Sequence, residues 1–249
     1  MTTVCTACGV LLLVSLGLAA AAFADGPDWS YSGHGGPAAW AELDPAFATC
    51  GLGQLQSPID IRGAKTVELP AIRFDYRAGR PTIVDNGHTL QLNIAPGSAI
   101  EVGGERFELL QFHFHKPSEE KIDGQAHDMV VHFVHRDAVG HLAVVAVLLD
   151  RGNENPLLAA LWQRLPQAKH QEVRLDLELD ATALLPAERG YYTFQGSLTT
   201  PPCSENVRWF VLKGATTVGE GQLATFGNLY ESNARPVQPL HEREILATP

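Results

Sequence analysis

Apolar and polar positions alternate in short runs along much of this chain. "TIVDNGHTLQLNI", "AIEVGG", "RFELLQFHFHK", "HDMVVHFVHRD", "HLAVVAVLLD", "VRLDLEL", "YYTFQGSL" and "VRWFVLKG" read as strands, punctuated by Gly, Pro, Asn and Asp. Within "HLAVVAVLLD", the stretch "LAVVAVLL" is apolar at every position, as a central strand buried on both faces would be. Helix patterning is scarce. In "NENPLLAALWQRL", Asn155 stands as N-cap and Pro156 at the first helical position; "EGQLATFGNLY" is a second candidate. The predicted class is mainly β (α+β) with short helices. There is no internal repeat, no linker and no low-complexity stretch after residue 24, so a single domain over residues 25–249 is expected.

Residues 1–24 follow a different pattern. "GVLLLVSLGLAAAAFA" is an apolar run ending in Ala22-Phe23-Ala24, which reads as a secretory signal peptide cut before Asp25. Its first ten residues hold no Lys or Arg, a departure from that pattern; the alternative is a retained anchor, although the run is short for a membrane span. A periplasmic or secreted protein, soluble after cleavage, is expected. The chain carries 18 Lys and Arg against 28 Asp and Glu, a formal charge of −10, which argues against nucleic acid or an anionic membrane as partner. Cys5 and Cys8 fall in the leader. Cys50 and Cys203 remain, an even pair that suggests one disulfide in an exported chain, the alternative being two free buried thiols.

The candidate chemistry lies in "QFHFHKPSEE". On a strand His113 and His115 share one face, and Phe112 and Phe114 take the other. The phenylalanines can enter a core while the imidazoles converge in a cavity. If "HDMVVHFVHR" forms the antiparallel neighbour, His132 is the natural third member, with Val130 and Val134 on its face. Three neutral imidazoles with an open fourth position are the arrangement of catalytic Zn²⁺. A pair of hydrogen-bonded core histidines is the bland alternative for any one of them.

The landmarks "WSYSGHGGPAAW", "QSPIDI", "DNGHTL", "QFHFHKPSEE", "HFVHRD", "YTFQGSLTTPPCSE", "VRWFVLK" and "ESNARPVQPL" stand in order over about residues 29–240. In these the chain resembles an α-class carbonic anhydrase of the exported bacterial type. The resemblance implies a large, central, twisted, mostly antiparallel sheet with short surface helices. It implies Zn²⁺ held by His113, His115 and His132, and a Cys50–Cys203 link. It implies reversible hydration of CO₂ to bicarbonate by zinc-bound hydroxide. Glu119 would take the Thr199 proton, leaving Thr199 only able to accept from that hydroxide. His88 would be the proton shuttle, for which an unperturbed pKa near 6.5 is suited. Tyr31, Asn86, Gln91, Gln111 and Thr200 would line a polar side and order waters, with Gln111 also bonded to a ligand imidazole. Val134, Val144, Leu198 and Trp209 would form the apolar wall beside CO₂. Sulfonamides and anions would inhibit, and the protein would be a monomer or homodimer.

One departure stands out. Many members carry glutamate where this chain has Val130, hydrogen-bonded to the third ligand histidine. Valine offers no acceptor, so His132 would need a water, a backbone carbonyl or another side chain. Negative charge near the metal would be missing, and zinc would be held less tightly than with glutamate there. His34, His127, His135, His141, His170 and His241 receive no catalytic role, and His135 is read as a buried structural residue. Two other readings compete: a catalytically silent binding domain of the same family, disfavoured by the complete histidine trio, and a zinc esterase, expected as a side activity.

Overall fold

The computed structural model describes residues 28–249, so the leader reading and Cys5 and Cys8 lie outside the described residues. Thirteen strands form one large sheet. Its centre is built from β1 (Thr82–Asp85), β2 (Leu90–Asn93), β3 (Glu105–His115), β4 (Met129–Arg136), β5 (Leu142–Arg151), β6 (Tyr191–Ser197) and β7 (Glu205–Leu212). Their spatial order is β1-β2-β3-β4-β5-β7-β6. Neighbours run antiparallel except β5 and β7, which are parallel. The sheet is therefore mixed but mainly antiparallel. β5 is the "LAVVAVLL" strand, and seven consecutive residues from Ala143 to Leu149 are buried. It lies between β4 and β7, where neither face meets water.

Period-two alternation divides the side chains between two cores. Phe112, Phe114, Val131, Phe133, Val145 and Val147 point to one face, with Leu158, Leu161, Leu223 and Phe226 of the two longer helices packed there. Those helices are α1 (Pro156–Trp162) and α2 (Glu220–Leu229). Phe114 meets Trp162 and Phe226 edge-on, at centroid distances of 5.4 and 6.2 Å. Each buried phenylalanine contributes about 1.5–3 kcal/mol of transfer free energy, which holds β3 in the orientation that turns its histidines to the other face. That other face carries Val130, Val134, Val144, Ala146, Leu148, Trp209 and Val211.

α1 starts as its sequence predicts: the Asn155 side chain accepts from the Leu157 and Leu158 N–H groups, and Pro156 opens the helix. "EGQLATFGNLY" is also helical. "VRLDLEL" is a correction. Only Glu172–Arg174 is strand. Beyond it Leu175 and Leu179 still enter the core, but they bond to Pro81 and Gly79 across irregular backbone. Alternation here reflects burial of every other side chain without a regular ladder. The Cys50–Cys203 disulfide is present and spans 153 positions. No helix of the described residues is long and apolar enough to cross a membrane.

Candidate metal centre

The register of β3 and β4 builds the site. His132 lies directly opposite His113, Val130 opposite His115, and Val134 opposite Gln111. One nitrogen from each of His113, His115 and His132 falls within 4.8 Å of the other two. The remaining nitrogen of each ring is engaged. His113 Nδ1 is 2.8 Å from Gln111 Oε1. His115 Nδ1 donates to the Asn233 carbonyl at 2.7 Å. His132 Nε2 is 3.2 Å from Glu120 Oε2 and 3.1 Å from Glu120 Oε1. An acceptor on the outer nitrogen places the proton there and leaves the inner nitrogen with a free lone pair. The inward set is thus Nε2, Nε2 and Nδ1. His115 Nε2 is buried with no hydrogen-bond partner among the described residues, as a nitrogen reserved for a metal would be.

Burial favours the neutral form of His113 and His115, and the buried carboxylates act the other way on His132. Burial, reinforced by the neighbouring His132, pushes His113 down to about 3. Burial likewise takes His115 well below the ordinary histidine value. For His132 burial acts downward too, but the Glu120 and Glu119 carboxylates outweigh it and the net shift is upward. Two carboxylates thus sit against the trio: Glu119 is 1% exposed and Glu120 fully buried. Three convergent imidazoles backed by two buried carboxyl groups form a site whose chemistry suits a dication.

Glu119 Oε1 accepts from the Arg235 backbone N–H at 2.8 Å, and Oε2 is 3.4 Å from His115 Nε2. Burial raises its pKa to about 7, against the opposing influence of His132 and Thr199. A bound dication favours the ionised carboxylate. Arg235 is itself locked, donating to Gln56 Oε1, the Ser57 carbonyl and the Cys50 carbonyl. This joins the disulfide segment to the Glu119 pocket.

The trio lies at the base of a cavity of about 190 Å³. Tyr31, Asn86, Gln91, Gln111 and Thr200 line it with polar atoms, and Val134, Val144, Leu198 and Trp209 with apolar ones; Thr199 lines it too. Trp209 meets His132 edge-on at 5.0 Å and donates its indole N–H to the Ser197 carbonyl. His88 is presented at the rim by the turn between β1 and β2. There Asn86 Oδ1 accepts from the His88 and Thr89 N–H groups, and Gly87 takes a φ of +88°. Its ring stacks on Trp29, centroids 3.7 Å apart and planes within 8°. Burial lowers its pKa below the ordinary value, with Asp28 opposing and His170 and Lys169 adding to the shift.

The cavity brings together every expected lining residue; Glu119 lies behind the wall. Sequence reasoning missed four residues: Glu120, Asn233, Arg235 and Trp29. The last three stand in the motifs "ESNARPVQPL" and "WSYSGHGG", but their targets lie over a hundred positions away for Asn233 and Arg235. Glu120 corrects the expectation drawn from Val130: His132 has a carboxylate partner, and the negative charge is present. His135 is fully buried with Nε2 2.9 Å from the Tyr76 hydroxyl, the structural role expected of it. His127 and His141 pair with Asp150 and Asp137 at 2.6 and 2.8 Å, away from the cavity.

The family model for eukaryotic-type carbonic anhydrase matches residues 35–249. A carbonic anhydrase of Pectobacterium carotovorum is 41% identical over 238 residues, covering 95% of this chain and 97% of the relative. The α-carbonic anhydrase of Thermovibrio ammonificans, solved with the inhibitor sulfanilamide, superimposes with a TM-score of 0.87 at 40% identity, over 89% of this chain and all of the other. A carbonic anhydrase of Chlamydomonas reinhardtii, solved with acetazolamide, gives 0.80 at 32% identity over 88% of this chain and 99% of the other.

Proposed function

The chain belongs to the eukaryotic-type carbonic anhydrase family, and from that membership we propose that it hydrates CO₂ reversibly at the His113–His115–His132 centre with Zn²⁺ as cofactor. The observation that carries this reading is the convergence of three ring nitrogens within 4.8 Å, each imidazole oriented by an acceptor on its outer nitrogen. Zn²⁺ bound there supplies the Lewis acidity that makes a water nucleophilic near neutral pH.

The chain's own residues do the rest. A carboxylate only accepts hydrogen bonds, so Glu119 takes the single hydroxyl proton of Thr199. Thr199 Oγ1 can then only accept toward the cavity, which selects a nucleophile that carries a proton and fixes its direction. Val134, Val144, Leu198 and Trp209 hold the apolar substrate and exclude water from one side. Tyr31, Asn86, Gln91 and Thr200 order waters on the other side, toward His88. His88 accepts the released proton and passes it to solvent at the rim, a role suited to an imidazole; burial, which lowers its pKa, favours release of that proton.

Residues 1–24 act as an export leader, so the mature protein, from Asp25, works in the periplasm or outside the cell. The disulfide supports this, since such bonds persist in oxidising compartments. Aromatic sulfonamides inhibit, because their deprotonated –NH⁻ group carries the one hydrogen Thr199 can accept. The decisive experiment combines metal analysis with stopped-flow CO₂ hydration on native protein and His115→Ala. One zinc per native chain with rapid hydration is expected, and loss of most zinc and nearly all activity in the variant. Full zinc occupancy in His115→Ala would overturn the assignment.

A further inference from the structure

We infer that Glu120 is the positioning residue for His132, a carboxylate supplied from the loop after β3 where a strand position, now Val130, would otherwise supply it. This rests on the proposed zinc site and deepens it.

Three observations carry it. The first is aim. Both Glu120 oxygens approach one atom, His132 Nε2, at 3.1 and 3.2 Å, on the ring edge opposite the metal position. The second is the lack of any other partner for the side chain among the described residues. Glu120 is fully buried, and Oε1 has no hydrogen-bond partner among the described residues. Its neighbour Glu119 has a backbone N–H donor, that of Arg235; Glu120 has none among the described residues. Among the described residues the one hydrogen-bond partner of its carboxyl group is His132 Nε2. A buried polar group is costly without a partner, so the carboxyl group is held to His132.

The third is the loop. Ser118 Oγ donates to the Glu120 carbonyl at 2.7 Å, and the His127 N–H donates to Ser118 Oγ at 2.9 Å. The next two residues, Lys121–Ile122, pair in parallel with Asp60–Ile61. The backbone on both sides of Glu120 is therefore pinned, and the carboxylate reaches His132 from a fixed base. Val130 meanwhile packs in an apolar cluster with Ile59, Ile61 and Leu148. It fills space there and contributes no acceptor.

The test measures zinc transfer to a chromophoric chelator from zinc-loaded native protein, Glu120→Gln, Val130→Glu and the double variant, with bound zinc counted before each run. Removing a partner of this kind costs about 10–100-fold in metal affinity or activity. Glu120→Gln is expected to release zinc at least tenfold faster than native. The double variant is expected to recover much of that loss, because its new carboxylate starts two residues from His132 on the same face. Val130→Glu alone is expected to release zinc no more slowly than native, since two carboxylates would crowd one N–H. Release from Glu120→Gln at the native rate would overturn the inference. So would faster release that the double variant leaves uncorrected, which would mark Glu120 as merely structural. Should Glu120→Gln fail to fold, Glu120→Asp takes its place: it keeps the charge but withdraws it by one methylene, and native-rate release from it overturns the inference equally. Native protein that binds no zinc would instead overturn the proposed function.

Discussion

At the scale of single residues, the roles divide by which atom each side chain leaves free. The His88 ring is stacked on Trp29 and is not one of the three converging histidines. Its removal should therefore spare CO₂ conversion and slow proton export. His88→Ala is expected to lower kcat about tenfold or more, in the range by which proton transfer groups contribute, while kcat/KM changes little and imidazole buffer restores part of the loss. Equal losses in both parameters without rescue would remove His88 from the pathway. His135 illustrates a histidine with the opposite fate. Burial holds its pKa near 3, so below its ordinary value of about 6.5 the unfolded chain binds a proton that the folded chain does not. Stability is complete above that value and falls as pH drops toward 3. Between pH 6.5 and 5 the loss attributable to this one group is roughly 2 kcal/mol. Chemical denaturation of zinc-loaded native protein and His135→Gln at pH 7.5 and 5 should show a smaller pH difference in the variant. An unchanged difference would mean that His135 is not responsible.

At the scale of elements, strand parity and register bring the three histidines together, and loops place the groups that act on them. β3 and β4 need only pair in one register for His113 and His132 to meet. A slip by one residue would carry His132 to the phenylalanine face, so the burial of Phe112, Phe114 and Phe133 defends the site as well as the core. The β1–β2 turn is less protected. Gly87 adopts φ +88°, and a Cβ there would meet His170 Cε1 at 3.2 Å. Gly87→Ala should cost about 1 kcal/mol from the backbone conformation and lower kcat through displacement of His88. Its zinc content should remain native, because no ligand lies on that turn; loss of zinc would show that the turn and the metal centre are coupled.

At the scale of the whole molecule, the disulfide and Arg235 tie the N-terminal helical segment to the active-site loops. Cys50 and Cys203 are 153 positions apart, and closing a loop of that size contributes up to roughly 5 kcal/mol in the chain-entropy model. Reduction should lower the melting temperature markedly while leaving zinc stoichiometry near one per chain, measured by calorimetry and metal analysis on the same sample. An unaltered melting temperature would show that the closed loop contributes little. Much of this architecture was legible in the order of residues. Alternation depends on local geometry, so it marked the strands, paired His113 with His115 on one face, and put Phe112 and Phe114 on the other. The Asn155–Pro156 start of α1 was legible for the same reason, as were the two cysteines suited to a bond. The sequence did not disclose that "VRLDLEL" would leave the sheet after Arg174, because periodic burial does not require a ladder. Nor did it disclose the partners of the ligands beyond Gln111. Gln111 is two residues from His113 on the same strand, whereas Asn233 lies 118 positions from His115. Glu120 is near His132 in sequence but reaches it around a loop whose course depends on pairing with Asp60–Ile61. Local periodicity determined which residues could face the cavity; long-range packing alone decided which acceptors stand behind them, because a hydrogen bond requires an approach of about 3 Å that no spacing along the chain specifies.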